Sequence, residues 1–372
     1  MTDAVAVVLF VAVTAYAVFG GAEKGKRPRA VIARAIAPVW EANHVWLIFT
    51  LVVLWTAFSE AFAAIMLTLF VPLTLAAFGI VLRGSSFVFR NNVLRVGQRR
   101  NFGAAFALSS VLVPYCFGAV AGAIASGRVP AGGEAGEPWS SWVNPASILG
   151  GVLAVTVCAY LAAVYLSFDA HRFADAVMAE YFRRRAVVAA IVTGLVAFVG
   201  IFVLRADARY VFDGLTSRAL PLVIVSAVCG SLSLILLLRN AHRYARILAA
   251  GAVAAVVGAW GVAQWPYMLP KTLTVTQAAA PSGTLATILV MFGVAAVLVI
   301  PSLVVLYVLD QRSLLEGGSE GHEGHDSAPA SHAAESPTTS VLGRTMTTAL
   351  TGVMIVAFAV AGRRRRTRTS GG

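Results

Sequence analysis

The sequence predicts an all-α, polytopic integral membrane protein, and two observations carry that reading. Of 372 residues, 59% are hydrophobic and only 12% charged, with a mean hydropathy of +0.81, whereas a soluble domain carries roughly a quarter charged residues. So apolar a chain has too little polar surface for a soluble enzyme and too little charge for a disordered protein. The apolar residues also fall in unbroken runs of helical length, not in the alternating pattern of a membrane barrel.

Nine runs can span, at about 4–20, 42–58, 61–82, 104–125, 146–168, 186–204, 220–238, 247–263 and 285–309. Crossing the ~30 Å hydrocarbon core takes roughly 20 helical residues. Two four-helix bundles plus one helix suit the loop spacing. The first run has no basic residue before it and a Lys/Arg cluster after it, the reverse of a cleavable signal, so a retained helix is expected. Pro72, Pro114 and Pro301 lie within runs and are expected to kink their helices.

A net charge of +12 and a pI near 10.3 would suggest nucleic acid in a soluble protein, but here the basic residues lie between the apolar runs. The odd-numbered loops hold 17 Lys and Arg, the even-numbered loops 5. This asymmetry places the N-terminus outside and the odd loops in the cytoplasm of a multi-pass cell-membrane protein, against anionic lipid. No nucleic-acid partner is expected. Cys116, Cys158 and Cys229 all fall inside apolar runs, and no CxxC or CxxCH is present, which excludes thiolate zinc sites and covalent haem attachment.

Residues 1–310 form the membrane domain on this reading, and 311–344 change to a His/Ser/Pro/Gly-rich linker expected to be disordered. His322, His325 and His332 in that linker resemble a metal tract, although such spacing is commonly incidental in low-complexity sequence. Residues 345–372 add an apolar segment ending in Arg363 to Arg366. A tenth crossing there would put the arginines outside, against the charge rule. Either the segment lies at the interface or re-enters, or one of the nine runs is miscounted.

Ionisable groups inside a membrane are functional candidates by default. The densest cluster opens the second run: Pro38-Val-Trp40-Glu41-Ala-Asn43-His44-Val-Trp46. Glu41 and His44 are three apart and share a helix face. Two readings of Glu41 stand side by side. It caps a helix whose N-terminal dipole favours an anion, or it exchanges protons with the cytoplasm beside an imidazole. Trp40 and Trp46 suit a headgroup belt. Glu60 closes a tight turn and reads first as solvated, and the segment Gln264 to Pro270 reads as a rigid outer cap. No second histidine lies inside an apolar run, so bis-histidine haem ligation within this chain is not expected.

The stretch Ile36-Ala-Pro-Val-Trp-Glu-Ala-Asn-His-Val-Trp-Leu-Ile48 resembles the signature of subunit II of the cytochrome bd-type quinol oxidases. Leu82-Arg-Gly-Ser-Ser-Phe-Val-Phe-Arg90, Trp265-Pro-Tyr-Met-Leu-Pro270 and Leu273-Thr-Val-Thr-Gln-Ala-Ala-Ala280 extend the resemblance over roughly residues 1–312. The resemblance implies a non-haem subunit of a respiratory quinol:dioxygen oxidoreductase, not catalytic alone. Its partner would be subunit I, carrying haems b558, b595 and d, with quinol as the substrate of the complex and a quinone as a candidate bound molecule. It further implies that Glu41 matches the acid of a Trp-acid-x-Asn motif associated with the proton pathway, with Trp40, Asn43 and Trp46 as structural neighbours. The chain departs from the family pattern at Gly20-Gly-Ala-Glu23-Lys-Gly25, which lacks a first acid, and at Val88, where many members place one. Two alternatives remain open, a secondary transporter and a degenerate scaffold subunit without a proton role. A transporter would show inverted repeats and a midplane polar site, and neither is evident.

Overall fold

A computed structural model describes residues 28, 31–32, 40–92 and 96–311, and its regular elements are helices apart from one short hairpin, with an irregular segment at 126–144. The helices are α1 (Trp40–Ala57), α2 (Ser59–Thr68), α3 (Phe70–Asn92), α4 (Val96–Ala125), α5 (Pro145–Arg172), α6 (Ala176–Asp207), α7 (Arg209–Thr216), α8 (Leu220–Leu238) and α9 (His242–Gln264). Strands β1 (Tyr267–Leu269) and β2 (Leu273–Thr274) pair antiparallel, and α10 (Val275–Ala278) and α11 (Ser282–Gln311) follow. Six described helices are long and apolar enough to cross a membrane, or seven with the bent pair α1 and α2. The expected runs at 4–20 and 345–361, the His-containing linker and Arg363 to Arg366 lie outside the described residues.

The third expected run, 61–82, does not form one helix. The chain turns through 116° between α1 and α2, then breaks again at Leu69 before α3 begins. Pro72 supplies the reason. It has no N–H to give the Thr68 carbonyl, and its ring would crowd that carbonyl if the helix continued. Three residues into a new helix, the missing N–H costs nothing, because the first four are unpaired anyway. The helix that follows, α3, is 23 residues long, and its apolar part, Phe70–Ser86, is shorter than the six spanning helices.

Side-chain caps fix the starts of α5, α6 and α10. Asn144 precedes Pro145 and accepts the Ser147 N–H at 2.9 Å, and Asp175 accepts the Met178 N–H at 3.1 Å. Thr274 and Gln277 form a reciprocal capping box on α10.

The tightest packing joins α4 to α5. A Cβ on Gly118 would lie 2.2 Å from the Gly150 carbonyl oxygen, and one on Gly122 would lie 2.3 Å from that of Ala146. Gly118 and Gly122 are one turn apart, as are Ala146 and Gly150, so small residues from both helices form a seam where the backbones meet. Where apolar side chains face lipid as readily as one another, such close contact is a main source of helix association. A larger core centres on Leu161, Phe182, Leu237 and Ile32 and draws in α5, α6, α8 and α9. Across it Tyr160 donates to Ser233 Oγ at 2.7 Å, and Ser233 donates to the Ala245 carbonyl at 2.9 Å. These bonds tie three helices with hydroxyls that would otherwise be buried unpaired.

Gly118→Ala and Gly122→Ala should each destabilise the protein by about 1–3 kcal/mol, the usual cost of overpacking. Gly194→Ala on α6, where a Cβ meets nothing within 4 Å, should leave the melting temperature unchanged. Thermal unfolding of the purified complex in detergent checks both, and equal effects at the three sites would refute the seam.

Candidate functional site

Trp40, Glu41, Asn43 and His44 occupy the first turn and a half of α1, as their spacing predicts, and Trp46 follows. Their helical backbone is described, and their side-chain surroundings lie outside the described part. Glu41 is the second residue of the helix, where a carboxylate meets the positive end of the dipole. Further along, Phe49 packs on Phe292 of α11 with ring centroids 5.5 Å apart.

An ionisable group of the described part lies within the bundle. Arg83, which the run boundaries assign to a loop, sits inside α3 with 3% of its surface exposed. It lies beside Cys158 of α5. Ser86, Ser109 and Ser110 are also buried in this part of α3 and α4, and the two α4 hydroxyls donate to the Phe106 carbonyl at 3.0 and 2.6 Å. Arg83 is followed by Gly84, Ser85 and Ser86, small residues of low helix propensity that leave room for a guanidinium.

The far ends of α4, α5, α6 and α9 are closed by a polar latch and the hairpin. Arg128 grips Asp207 through two nitrogens, at 2.9 and 2.5 Å. Asp207 also accepts the Ala146 N–H at 3.0 Å, in the first turn of α5. The hydrogen bond to Asp207 holds the Arg128 guanidinium still more firmly protonated than usual. Arg218 donates to the Ala263 carbonyl at 2.6 Å and to the Tyr210 hydroxyl at 2.9 Å, and Tyr210 donates to the Trp265 carbonyl at 2.9 Å. Leu269 and Leu273 of the hairpin are buried against Ala61, Ile65 and Leu69 of the α2 region. Glu60 lies in the first turn of α2.

Among the described residues no group of three or more His, Cys, Asp or Glu could hold a metal ion. Apolar helices of spanning length, joined at one end by a latch and a small cap, define a multi-pass α-helical membrane protein. The family model described as Cytochrome bd terminal oxidase subunit II matches residues 1–310, and the chain belongs to that family. It is 22% identical over 249 residues to cytochrome bd ubiquinol oxidase subunit 2 of Bacillus subtilis (strain 168), covering 66% of this chain and 71% of that one. Its fold matches a chain of the bd oxidase from Geobacillus thermodenitrificans with a TM-score of 0.69 and 25% identity, covering 83% of this chain and 93% of the other. Its relatives are subunits of an oxidoreductase complex, and the family places a subunit I beside it.

A double-mutant cycle on Arg128→Gln and Asp207→Asn should return a coupling of about 1–2 kcal/mol in thermal unfolding. That is less than a fully buried charge-assisted pair, because the Arg128 side chain is 35% exposed. Strictly additive single effects would show that the latch contributes nothing.

Proposed function

We propose that this chain supports assembly of the haem-bearing subunit I and delivers cytoplasmic protons to it for the reduction of dioxygen to water, with quinol as the electron donor of the complex. The observation that supports this most is the family match together with the position of Glu41. The Trp40-Glu41-Ala-Asn43 motif opens a helix, so a carboxylate stands where the chain enters the membrane. There it can take up a proton from water and pass it along, with His44 one turn further in. The haems b558, b595 and d belong to subunit I on this reading, so catalysis needs both chains. The odd loops face the cytoplasm and the N-terminus lies outside, following the lysine and arginine asymmetry. A scaffold subunit with no proton role is the second reading, favoured by Val88 and by Gly20 to Gly25, where acids are missing.

The exposure of α11 also supports a partner. None of the residues in the apolar stretch Ser282–Val299 is fully buried within the chain. Apolar all round, such a helix belongs against another protein or lipid.

Glu41→Gln should slow oxygen reduction by the assembled complex about 10²-fold or more, the scale of losing a positioned proton carrier, while haem content and subunit stoichiometry stay at wild-type levels. Oxygen-electrode turnover and haem spectra of the purified complex distinguish the readings. Unchanged turnover would assign Glu41 to capping, and normal haem content with turnover insensitive to both Glu41 and His44 would favour the scaffold.

A further inference from the structure

The end of the bundle opposite the hairpin carries cationic charge that proton delivery at α1 does not use. Within residues 165–185 and 238–250 there are seven arginines and three acids. Asp175 is engaged as the cap of α6. Glu180 holds both Arg183, at 2.6 Å, and Arg184, at 2.7 Å. Arg183 also donates to the Leu237 carbonyl at 3.2 Å, which fastens the start of α6 to the end of α8. Arg246 lies 3.9 Å over the Phe168 ring and Arg185 3.3 Å over Tyr181, so stacking fixes both. Arg239 and Arg243 remain exposed on either side of the tight α8–α9 turn, where Asn240 adopts φ 60°. Arg184, one residue from the Arg183 fastening, has a side chain 76% exposed.

Along the helices from these arginines, apolar surface faces outward. Val188, Ile191 and Val192 on α6 and Leu232, Ile235 and Leu238 on α8 are all exposed. The apolar windows of the two helices are only 11% buried within the chain.

We propose that this end of α6, α8 and α9 binds an anionic phospholipid, its phosphate held by Arg184, Arg239 and Arg243 and its acyl chains lying on the exposed faces of α6 and α8. Guanidinium groups match phosphate oxygens in charge and fork geometry. A soluble anion would use the arginines and leave the apolar faces without a role. A neutral phospholipid would cover the apolar faces without balancing the excess charge. An anionic diacyl lipid satisfies both parts at once. Generic attraction to an acidic leaflet needs only the charges, so it predicts that any arginine near either surface counts equally.

The test uses the intact oxidase complex in nanodiscs of phosphatidylcholine with increasing phosphatidylglycerol. Melting temperature and co-purifying lipid, counted by native mass spectrometry, are the readouts. Phosphatidylglycerol should raise the melting temperature of the wild type, and its affinity should fall roughly fivefold for each arginine changed to Gln, about a hundredfold in R184Q/R239Q/R243Q. The charge-preserving R184K/R239K/R243K should stay within about tenfold of wild type, and Arg205→Gln at the other end should change nothing. Retained phosphatidylglycerol in the triple Gln variant, or an equal loss in Arg205→Gln, would overturn the site. Stabilisation of the same size by millimolar inorganic phosphate alone would overturn the lipid as occupant.

Discussion

The described bundle is organised around the backbone contact between α4 and α5. Gly118 and Gly122 bring α4 so close to Ala146 and Gly150 that no Cβ fits between the chains. Once these two helices are in register, the neighbouring positions follow. The first turn of α5 presents the Ala146 N–H to Asp207, and Asp207 in turn holds Arg128 just beyond the end of α4. One carboxylate thereby sets the ends of α4, α5 and α6 at a common height. The arrangement suits a membrane, where apolar burial discriminates poorly between neighbours and close approach of small residues with a few polar bonds does more of the selecting.

The same logic explains how a cation comes to lie inside the bundle. Pro72 stands in the first turn of α3, and this helix runs to Asn92 with Arg83 inside it. A guanidinium there is costly unless its surroundings are polar. Ser86 on α3 and Ser109 and Ser110 on α4 are buried in the same region, the latter two donating to the Phe106 carbonyl.

Much of the fold is legible in the sequence because apolar helices announce themselves by length. The runs at 104–125, 146–168, 186–204, 220–238, 247–263 and 285–309 each fall on a described helix, and the turn at Phe58 and the cap after Gln264 stand where turn chemistry puts them. Other features are not legible, each for a physical reason. Hydropathy averages over a window, so it merges α2 with α3 and places Arg83 in a loop. It is also blind to a seam made of glycine and alanine, since these residues contribute to apolar character whether or not a neighbour touches them. The Arg128–Asp207 latch joins positions 79 apart, a pairing that no local pattern contains. The candidate proton site is the reverse case, because its signal is local: a Pro, a carboxylate, an amide and an imidazole follow one another within a single short stretch at the start of one helix.

The two ends of the bundle put arginine to different uses. At the hairpin end, Arg128 meets a carboxylate and Arg218 meets a carbonyl and a phenol, so these side chains are committed to protein partners. At the opposite end, Arg183 is fastened to Glu180 and Leu237 and Arg184 also pairs with Glu180, yet the Arg184 side chain is 76% exposed and Arg239 and Arg243 are exposed as well. A charge that serves only to orient the chain needs no fixed geometry, since the topology rule counts residues and ignores their contacts. Holding Arg183 against α8 does more than orient, because it fixes the spacing between the exposed apolar faces of α6 and α8. Those faces are where a lipid held by its headgroup would lie, so the ion pair at the bundle end shapes the apolar surface beside it.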